Sequence, residues 1–119
     1  MTTRKVLLVD DDPDIRKIGR LSLTGVAKWE VHLASSCAEA LELASTEKPD
    51  VILLDTTMGV EDSYQALSKF QQYATPVIMT AVKLEERELS ELMGLGARGV
   101  ISKPFNPRTL PSEIERILS

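Results

Sequence analysis

Five short aliphatic runs, each followed by a longer stretch of helical period, limit what this chain can fold into more than any other feature. The runs are Val6–Val9, Glu30–Ala34, Val51–Leu54, Pro76–Thr80 and Gly99–Ser102, and the helical stretches are Pro13–Leu23, Cys37–Ser45, Asp62–Tyr73, Glu85–Met93 and Pro107–Leu118. Short Val-, Ile- and Leu-rich runs alternating with amphipathic segments are the pattern of βα units. Runs that are apolar on both faces belong in a parallel sheet covered by helices on each side, with right-handed crossovers. The expectation is therefore an α/β fold: a doubly wound five-stranded parallel sheet in the flavodoxin-like order 2-1-3-4-5, a (βα)5 three-layer sandwich. A closed barrel of such units needs about 250 residues, and this chain has 119.

Local chemistry marks several boundaries. Pro13 suits the first turn of a helix, Ser35 or Ser36 can cap the second helix, and Asn106 before Pro107 reads as the cap of the last. Leu110, Ile114 and Ile117 recur at i, i+4 and i+7, and Ala66, Leu67 and Phe70 make a similar stripe, so each helix has one face for a sheet. Hydrophobic residues make up 43% of the chain but aromatic ones only 4%, which requires an aliphatic core. No linker, repeat or low-complexity tract interrupts residues 1–119, so one domain is expected, ending with its last helix and holding no output domain.

Other classes are disfavoured. No apolar stretch reaches the length of a membrane span and no signal-peptide organisation precedes the first strand, so the expected location is cytoplasmic, with no membrane partner. The single cysteine, Cys37, cannot form an internal disulfide or by itself a thiolate metal site, and reads as a packing residue. The net charge is −4 and the basic residues are scattered, which argues against direct nucleic-acid binding by this domain.

In a doubly wound sheet, ligands bind beyond the carboxyl ends of the strands, where strand order reverses between the first and third. Strand one ends in Asp10, Asp11 and Asp12, strand three in Asp55, strand four in Thr80, and strand five is followed by Lys103. Adjacent, partly buried carboxylates repel one another and need compensation. A hard divalent cation supplies it: Mg²⁺ takes oxygen ligands and is commonly held by one or two carboxylates plus phosphate oxygens. Lys103 adds a further positive charge. An aspartate beside a cation, a hydroxyl and an ammonium is equipped to attack phosphorus and hold the phosphoryl group it receives.

Four segments carry a resemblance: VLLVDDDPDIR at Val6–Arg16, DVILLDTTM at Asp50–Met58, PVIMTA at Pro76–Ala81 and KPF at Lys103–Phe105. Together they resemble the receiver domain of bacterial two-component response regulators, of which the single-domain chemotaxis regulator is the simplest type, and the likeness covers essentially the whole chain. The resemblance implies that Asp55 is the phosphoacceptor, Asp11 a direct metal ligand and Asp10 an acidic partner acting largely through water. It also implies that Thr57 gives its backbone carbonyl to the metal, that Thr80 is the switch hydroxyl, and that Lys103 pairs with the phosphate ahead of a cis Lys103–Pro104 bond. Asp12 is expected to face solvent.

Three departures from the family pattern bear on output more than on phosphorylation. Val100 stands where the family often has the Tyr or Phe that turns inward when the threonine moves. Gly59 replaces a common proline, which suggests a looser loop from Thr56 to Asp62. Ser63 replaces a frequent glycine. Ala81 is small, as access to the phosphoryl group requires. Thr57 and Val82 occupy the positions that tune phosphate loss in the family, and neither offers an acid or amide to guide water, so a long-lived phosphoryl group is expected.

Plainer readings exist for several of these residues. The three aspartates taken alone fit a solvated loop with a helix cap. GLGARG at Gly94–Gly99 matches a dinucleotide-binding pattern but follows a helix and enters a strand, the reverse of the true motif, so turn glycines are expected there. His32 lies inside the second strand and reads as structural, and Trp29 and Tyr64 read as surface or rim aromatics.

The resemblance implies a signalling switch. A histidine kinase or histidine phosphotransfer protein would phosphorylate Asp55, and the domain would then change its affinity for a protein target through the fourth helix, fifth strand and fifth helix, with a phosphorylation-dependent dimer as one form. Two alternatives remain. One is a phosphorylation-independent interaction module on the same fold. The other is a small phosphatase of the haloacid dehalogenase type, for which Asp10 and Asp12 give a D-x-D spacing, but Asp14 sits where Thr or Val is expected and the chain lacks a substrate cap.

Overall fold

The computed structural model describes residues 3–58 and 60–119, with Val60 and Glu61 described by backbone alone. Five strands, β1 (Lys5–Val9), β2 (Glu30–Ala34), β3 (Val51–Asp55), β4 (Val77–Ala81) and β5 (Gly99–Ser102), form one parallel sheet in the order β2-β1-β3-β4-β5. The helices are α1 (Pro13–Gly25), α2 (Cys37–Glu47), α3 (Val60–Phe70), α4 (Glu86–Gly94) and α5 (Leu110–Leu118). The architecture is the expected doubly wound sandwich.

Alternation along the strands divides the core into two layers. Leu7, Val9, Ile52, Leu54, Val77 and Met79 face α2, α3 and α4, where Ala40, Ala66, Leu67, Phe70 and Leu92 meet them. Val6, Leu8, Val51, Leu53, Ile78 and Ile101 face the other way, toward Leu23 of α1 and Leu110 and Ile114 of α5. Residues of β1, β3 and β4 are almost wholly buried, as a covered parallel sheet requires. Gly19 lets α1 approach this sheet: a Cβ there would stand 2.5 Å from Leu8 Cδ2.

Several boundaries differ from the expected ones for identifiable reasons. The last helix begins at Leu110 rather than Pro107. Asn106 Oδ1 accepts the Arg108 N–H at 3.0 Å, making a turn, and the Ser22 hydroxyl donates to the Pro107 carbonyl. That carbonyl would in any case find no helical donor, because the residue four positions on is Pro111, which has no N–H. The third helix starts earlier than Asp62, and its last turn tightens into a 3-10 segment over Gln71–Tyr73, closed by Ala74 at φ 57°. Of the two capping candidates, Ser36 caps α2, accepting the Glu39 N–H at 3.1 Å. Trp29 is not a rim residue: it is 3% exposed and packs in the core layer under α1 and α5.

Of the three glycines of GLGARG, Gly94 ends α4, Gly96, at φ 110°, makes the turn, and Gly99 opens β5, so the segment runs from a helix into a strand. His32 lies half-buried on β2, with Nε2 2.6 Å from Glu30 Oε2. Among the described residues no helix is long and apolar enough to cross a membrane.

The chain start is tied to α5 by a two-point ion pair, Arg4 Nε to Glu115 Oε1 at 2.6 Å and Arg4 Nη2 to Oε2 at 3.0 Å. The hydrogen bond from Arg4 holds the Glu115 carboxyl below its ordinary range. A lowered carboxyl value gives stability that is present above the unfolded value and lost as pH falls through the folded one. The side chains are 25% and 39% exposed, so solvent screens the pair. Glu115→Gln is expected to lower stability by about 0.5–1 kcal/mol at neutral pH. The gap should close below about pH 4 in urea unfolding followed across that range.

Candidate functional site

All five strands run the same way, so their carboxyl ends share one edge of the sheet. Asp10 follows β1, Asp55 ends β3, Thr80 lies in β4 opposite Asp55 in register, and Lys103 follows β5. The sequence separates these residues widely, and the topology brings them together. Asp10, Asp55 and Thr80 are fully buried and Lys103 is 8% exposed. Asp11 stands at the exposed rim beside them, its carboxylate within 4.8 Å of those of Asp10 and Asp55. Asp12 is exposed and caps α1, accepting the Asp14 N–H at 2.9 Å.

Lys103 is the compensation that the buried carboxylates require. Its Nζ lies 3.0 Å from Asp10 Oδ2 and 2.7 Å from Asp55 Oδ1. Burial pulls the Lys103 ammonium toward neutrality, but the hydrogen bonds and charges of the two aspartates together outweigh it and raise its value. Asp10 is also raised, chiefly by burial and further by the charge of Asp55, against the opposing Asp12 N–H and Lys103. The two directions are consistent because one ammonium faces two carboxylates: the lysine has partners to spare, and each aspartate has a share of one.

Backbone and hydroxyl donors complete the shell. The Asp12 N–H donates to Asp10 Oδ1 at 2.9 Å, and the Thr57 N–H donates to Asp55 Oδ1 at 3.0 Å. The Thr57 hydroxyl lies 2.9 and 2.8 Å from the two Asp55 oxygens, so this side chain touches the carboxylate directly, a contact beyond the backbone-carbonyl role expected for it. Thr80 Oγ1 is buried and has no hydrogen-bond partner among the described residues. A buried hydroxyl left unpartnered costs about 1–3 kcal/mol.

The acidic group fits a hard divalent cation. Asp10, Asp11 and Asp55 each offer a carboxylate oxygen, all within 4.8 Å of one another. Three such oxygens, balanced in part by one ammonium, suit Mg²⁺, which prefers small oxygen donors and keeps several waters.

Ser63, noted in the sequence only for standing where a glycine is frequent, and Thr56 and Arg16, given no role there, also build this edge. Ser63 is fully buried, and its hydroxyl donates to the Asp55 carbonyl at 2.7 Å, pinning α3 to the end of β3. The available signal was its position: Ser63 precedes Ala66, Leu67 and Phe70 by three, four and seven residues, a polar member of an apolar stripe. Thr56 sends both its N–H and its hydroxyl to the Thr80 carbonyl, each at 3.0 Å, coupling β3 to the residue opposite Asp55. Arg16 Nη1 donates to the Asp10 carbonyl at 2.8 Å.

The remaining expected site residues lie around the edge. Ala81 is buried, Val82 is 69% exposed, and Val100 is half-buried against the α2–α4 core layer without a ring to turn. The Lys103–Pro104 bond is cis. The expectation attached to Gly59 lies outside the described residues.

Residues 6–115 match the family model for the response regulator receiver domain. The chain belongs to this family. Among curated relatives, the receiver domain is 33% identical to the alkaline phosphatase synthesis transcriptional regulatory protein PhoP of Bacillus subtilis, aligned over 97% of this chain and 48% of that protein. It is 34% identical to the transcriptional regulatory protein SrrA of Staphylococcus aureus, over 98% and 48%. The chain thus spans about half the length of the curated relatives it matches. Among solved structures, a chemotaxis response regulator of Vibrio cholerae superposes with a TM-score of 0.87 at 34% identity, covering 98% of this receiver domain and 99% of that chain. Family and fold are those that the four sequence segments implied.

Proposed function

We propose that this receiver domain accepts a phosphoryl group on the Asp55 carboxylate from a histidine kinase or histidine phosphotransfer protein, and that the modified domain changes its affinity for a protein target. The observation that supports this most strongly is one sheet edge bearing two buried carboxylates, an ammonium bridging them, and a buried hydroxyl without a partner among the described residues. In the transfer, an Asp55 oxygen forms a bond to phosphorus as the phosphorus–nitrogen bond of the donor breaks, and the imidazole leaves. Lys103 then pairs with the phosphoryl oxygens, and Thr80 donates its hydroxyl to one of them.

Asp10, Asp11, Asp55 and the Thr57 carbonyl would hold Mg²⁺, Asp10 largely through water. Bound there, the ion neutralises charge on the transferred oxygens. Movement of Thr80 would draw on Thr56, whose two bonds to the Thr80 carbonyl couple the strands, and on the segment from Ala81 to Leu84. The output face is that of α4, β5 and α5, where Val100 requires a response that uses no aromatic ring, and a dimer of phosphorylated domains is one state open to that face. Thr57 and Val82 leave hydrolysis without a guiding acid or amide.

Intact mass after incubation with acetyl phosphate is the test. A single phosphoryl adduct is expected with Mg²⁺ and none with chelator, decaying more slowly than in a chemotaxis regulator assayed alongside. Incorporation without metal would count against the proposed chemistry, rapid decay would overturn the slow-loss reading, and no adduct would favour a phosphorylation-independent module.

A further inference from the structure

Lys5 pairs with Glu30 where β1 and β2 begin, and Leu7 pairs with His32 two residues on. Side chains two apart on a strand share a face, so Glu30 and His32 stand together on β2, the edge strand, on the side that α2 covers. Glu47, the last residue of α2, reaches the same place. His32 Nε2 lies 2.6 Å from Glu30 Oε2 and 3.4 Å from Glu47 Oε1, and the three ligand atoms are all within 4.8 Å of one another. This group sits toward the amino ends of the strands, opposite the edge that carries Asp55, and the proposed phosphoryl chemistry uses none of it.

Its charges do not cancel. Among the described residues, two carboxylates face one ammonium, Lys5 Nζ, which stands 3.6 Å from Glu30 Oε2 and 3.8 Å from Glu47 Oε1. Both distances are too long for hydrogen bonds, and Lys5 donates instead to the Glu47 backbone carbonyl at 2.9 Å. One negative charge is left beside an imidazole nitrogen, which in the neutral ring offers a lone pair to a metal. We propose that Glu30, His32 and Glu47 form a binding site for Zn²⁺. Mixed imidazole and carboxylate donors suit zinc, whereas Mg²⁺ prefers oxygen ligands alone. Three protein ligands and a water make the four-coordinate shell of an open zinc site. Ligand atoms about 2.0–2.2 Å from the ion at tetrahedral angles stand roughly 3.3–3.6 Å apart. The pair His32 and Glu47 already has that spacing, and the Glu30 side chain, 55% exposed, has room to draw back from 2.6 Å. On binding, the Nε2 lone pair goes to the ion, the ring proton sits on Nδ1, and a Glu30 oxygen exchanges its hydrogen bond for the metal. The ion then ties the end of α2 to the edge strand.

His32 is the only histidine, so its two ring nitrogens give isolated signals in ¹⁵N-labelled protein. With Mg²⁺ in excess to occupy the acidic edge, Zn²⁺ titration near neutral pH is expected to move the Nε2 signal saturably, at one ion per chain. Mg²⁺ alone should leave that signal in place. Loss of an outer-shell partner alone costs about 10–100-fold in metal affinity, so Glu30→Gln and Glu47→Gln should each weaken binding by about tenfold or more while the amide spectrum stays folded. No saturable movement, an equal response to Mg²⁺, coordination through Nδ1, or unchanged affinity in either folded glutamine variant, the mark of a lone imidazole, would each overturn the assignment. The readout uses no phosphoryl chemistry, so it stands or falls apart from the proposed role of Asp55.

Discussion

Asp55→Asn is expected to abolish phosphoryl incorporation from acetyl phosphate and, in the absence of Mg²⁺, to leave the domain more stable than the wild type. The first effect follows from losing the nucleophilic oxygen while keeping the side chain's shape. The second follows from the charges. At an effective dielectric of about 20, the attraction of Lys103 to Asp55 at 2.7 Å is about 6 kcal/mol. Repulsion between Asp55 and each of Asp10 and Asp11, whose oxygens lie within 4.8 Å, is about 3.5 kcal/mol or more on the same scale. The two repulsions offset the attraction, so the charged neighbours give Asp55 little net stabilisation to set against the burial of a fully inaccessible side chain. Lys103 keeps Asp10 as a partner in the variant. A gain of about 1 kcal/mol or more is expected in metal-free urea unfolding, within the range seen when buried charges are replaced. Mg²⁺ should erase that gain, because it stabilises the wild type more than the variant.

Lys103→Met should have the largest cost in stability. It leaves Asp10 and Asp55 buried with no ammonium, and breaking a buried pair by removing one partner costs about 3–5 kcal/mol. The pH dependence has a definite sign. Asp10 is already raised, and removing Lys103 takes away an influence that lowers it. A carboxyl whose folded value is raised contributes stability that is fully present below the unfolded value and lost as pH rises through the folded one. The deficit of Lys103→Met should therefore be greatest at neutral pH and shrink toward about pH 4, where aspartate protonates in the unfolded chain. Added Mg²⁺ should recover more stability in Lys103→Met than in the wild type. In the Lys103→Met, Asp55→Asn double variant, metal-free stability should rise above that of Lys103→Met alone, because the two sites are in contact and their effects are not additive. Equal losses at pH 4 and pH 7 would contradict this account of the buried charges.

Both predictions rest on side chains that the sequence makes conspicuous. Asp10, Asp55, Thr80 and Lys103 were legible because a parallel sheet puts every strand's carboxyl end on one edge, so the residue after each apolar run reports on the site. The strands themselves were legible because β1, β3 and β4 are buried on both faces and allow almost no polar residue. Less legible was what depends on contacts between distant segments. Pro107 and Asn106 carry the signals of a helix start, but Ser22 from α1 takes the Pro107 carbonyl and the helix begins three residues later. Trp29 looks like a surface aromatic beside charged neighbours, yet the return of the chain into β2 folds it under α1 and α5. Ser63 and Thr56 support the site through carbonyl groups, and no side-chain pattern announces which carbonyl a hydroxyl will meet.

The measurement that tests the central claim most directly is the position of the modified residue. After incubation with acetyl phosphate and Mg²⁺, borohydride reduces an acyl phosphate to the corresponding alcohol, and peptide mass spectrometry then locates the reduced residue. Reduction at Asp55 alone is the predicted result. Reduction at Asp10 or Asp11 instead, or a phosphoryl group that resists borohydride because it sits on a hydroxyl or on His32, would contradict the assignment of Asp55 as the phosphoacceptor.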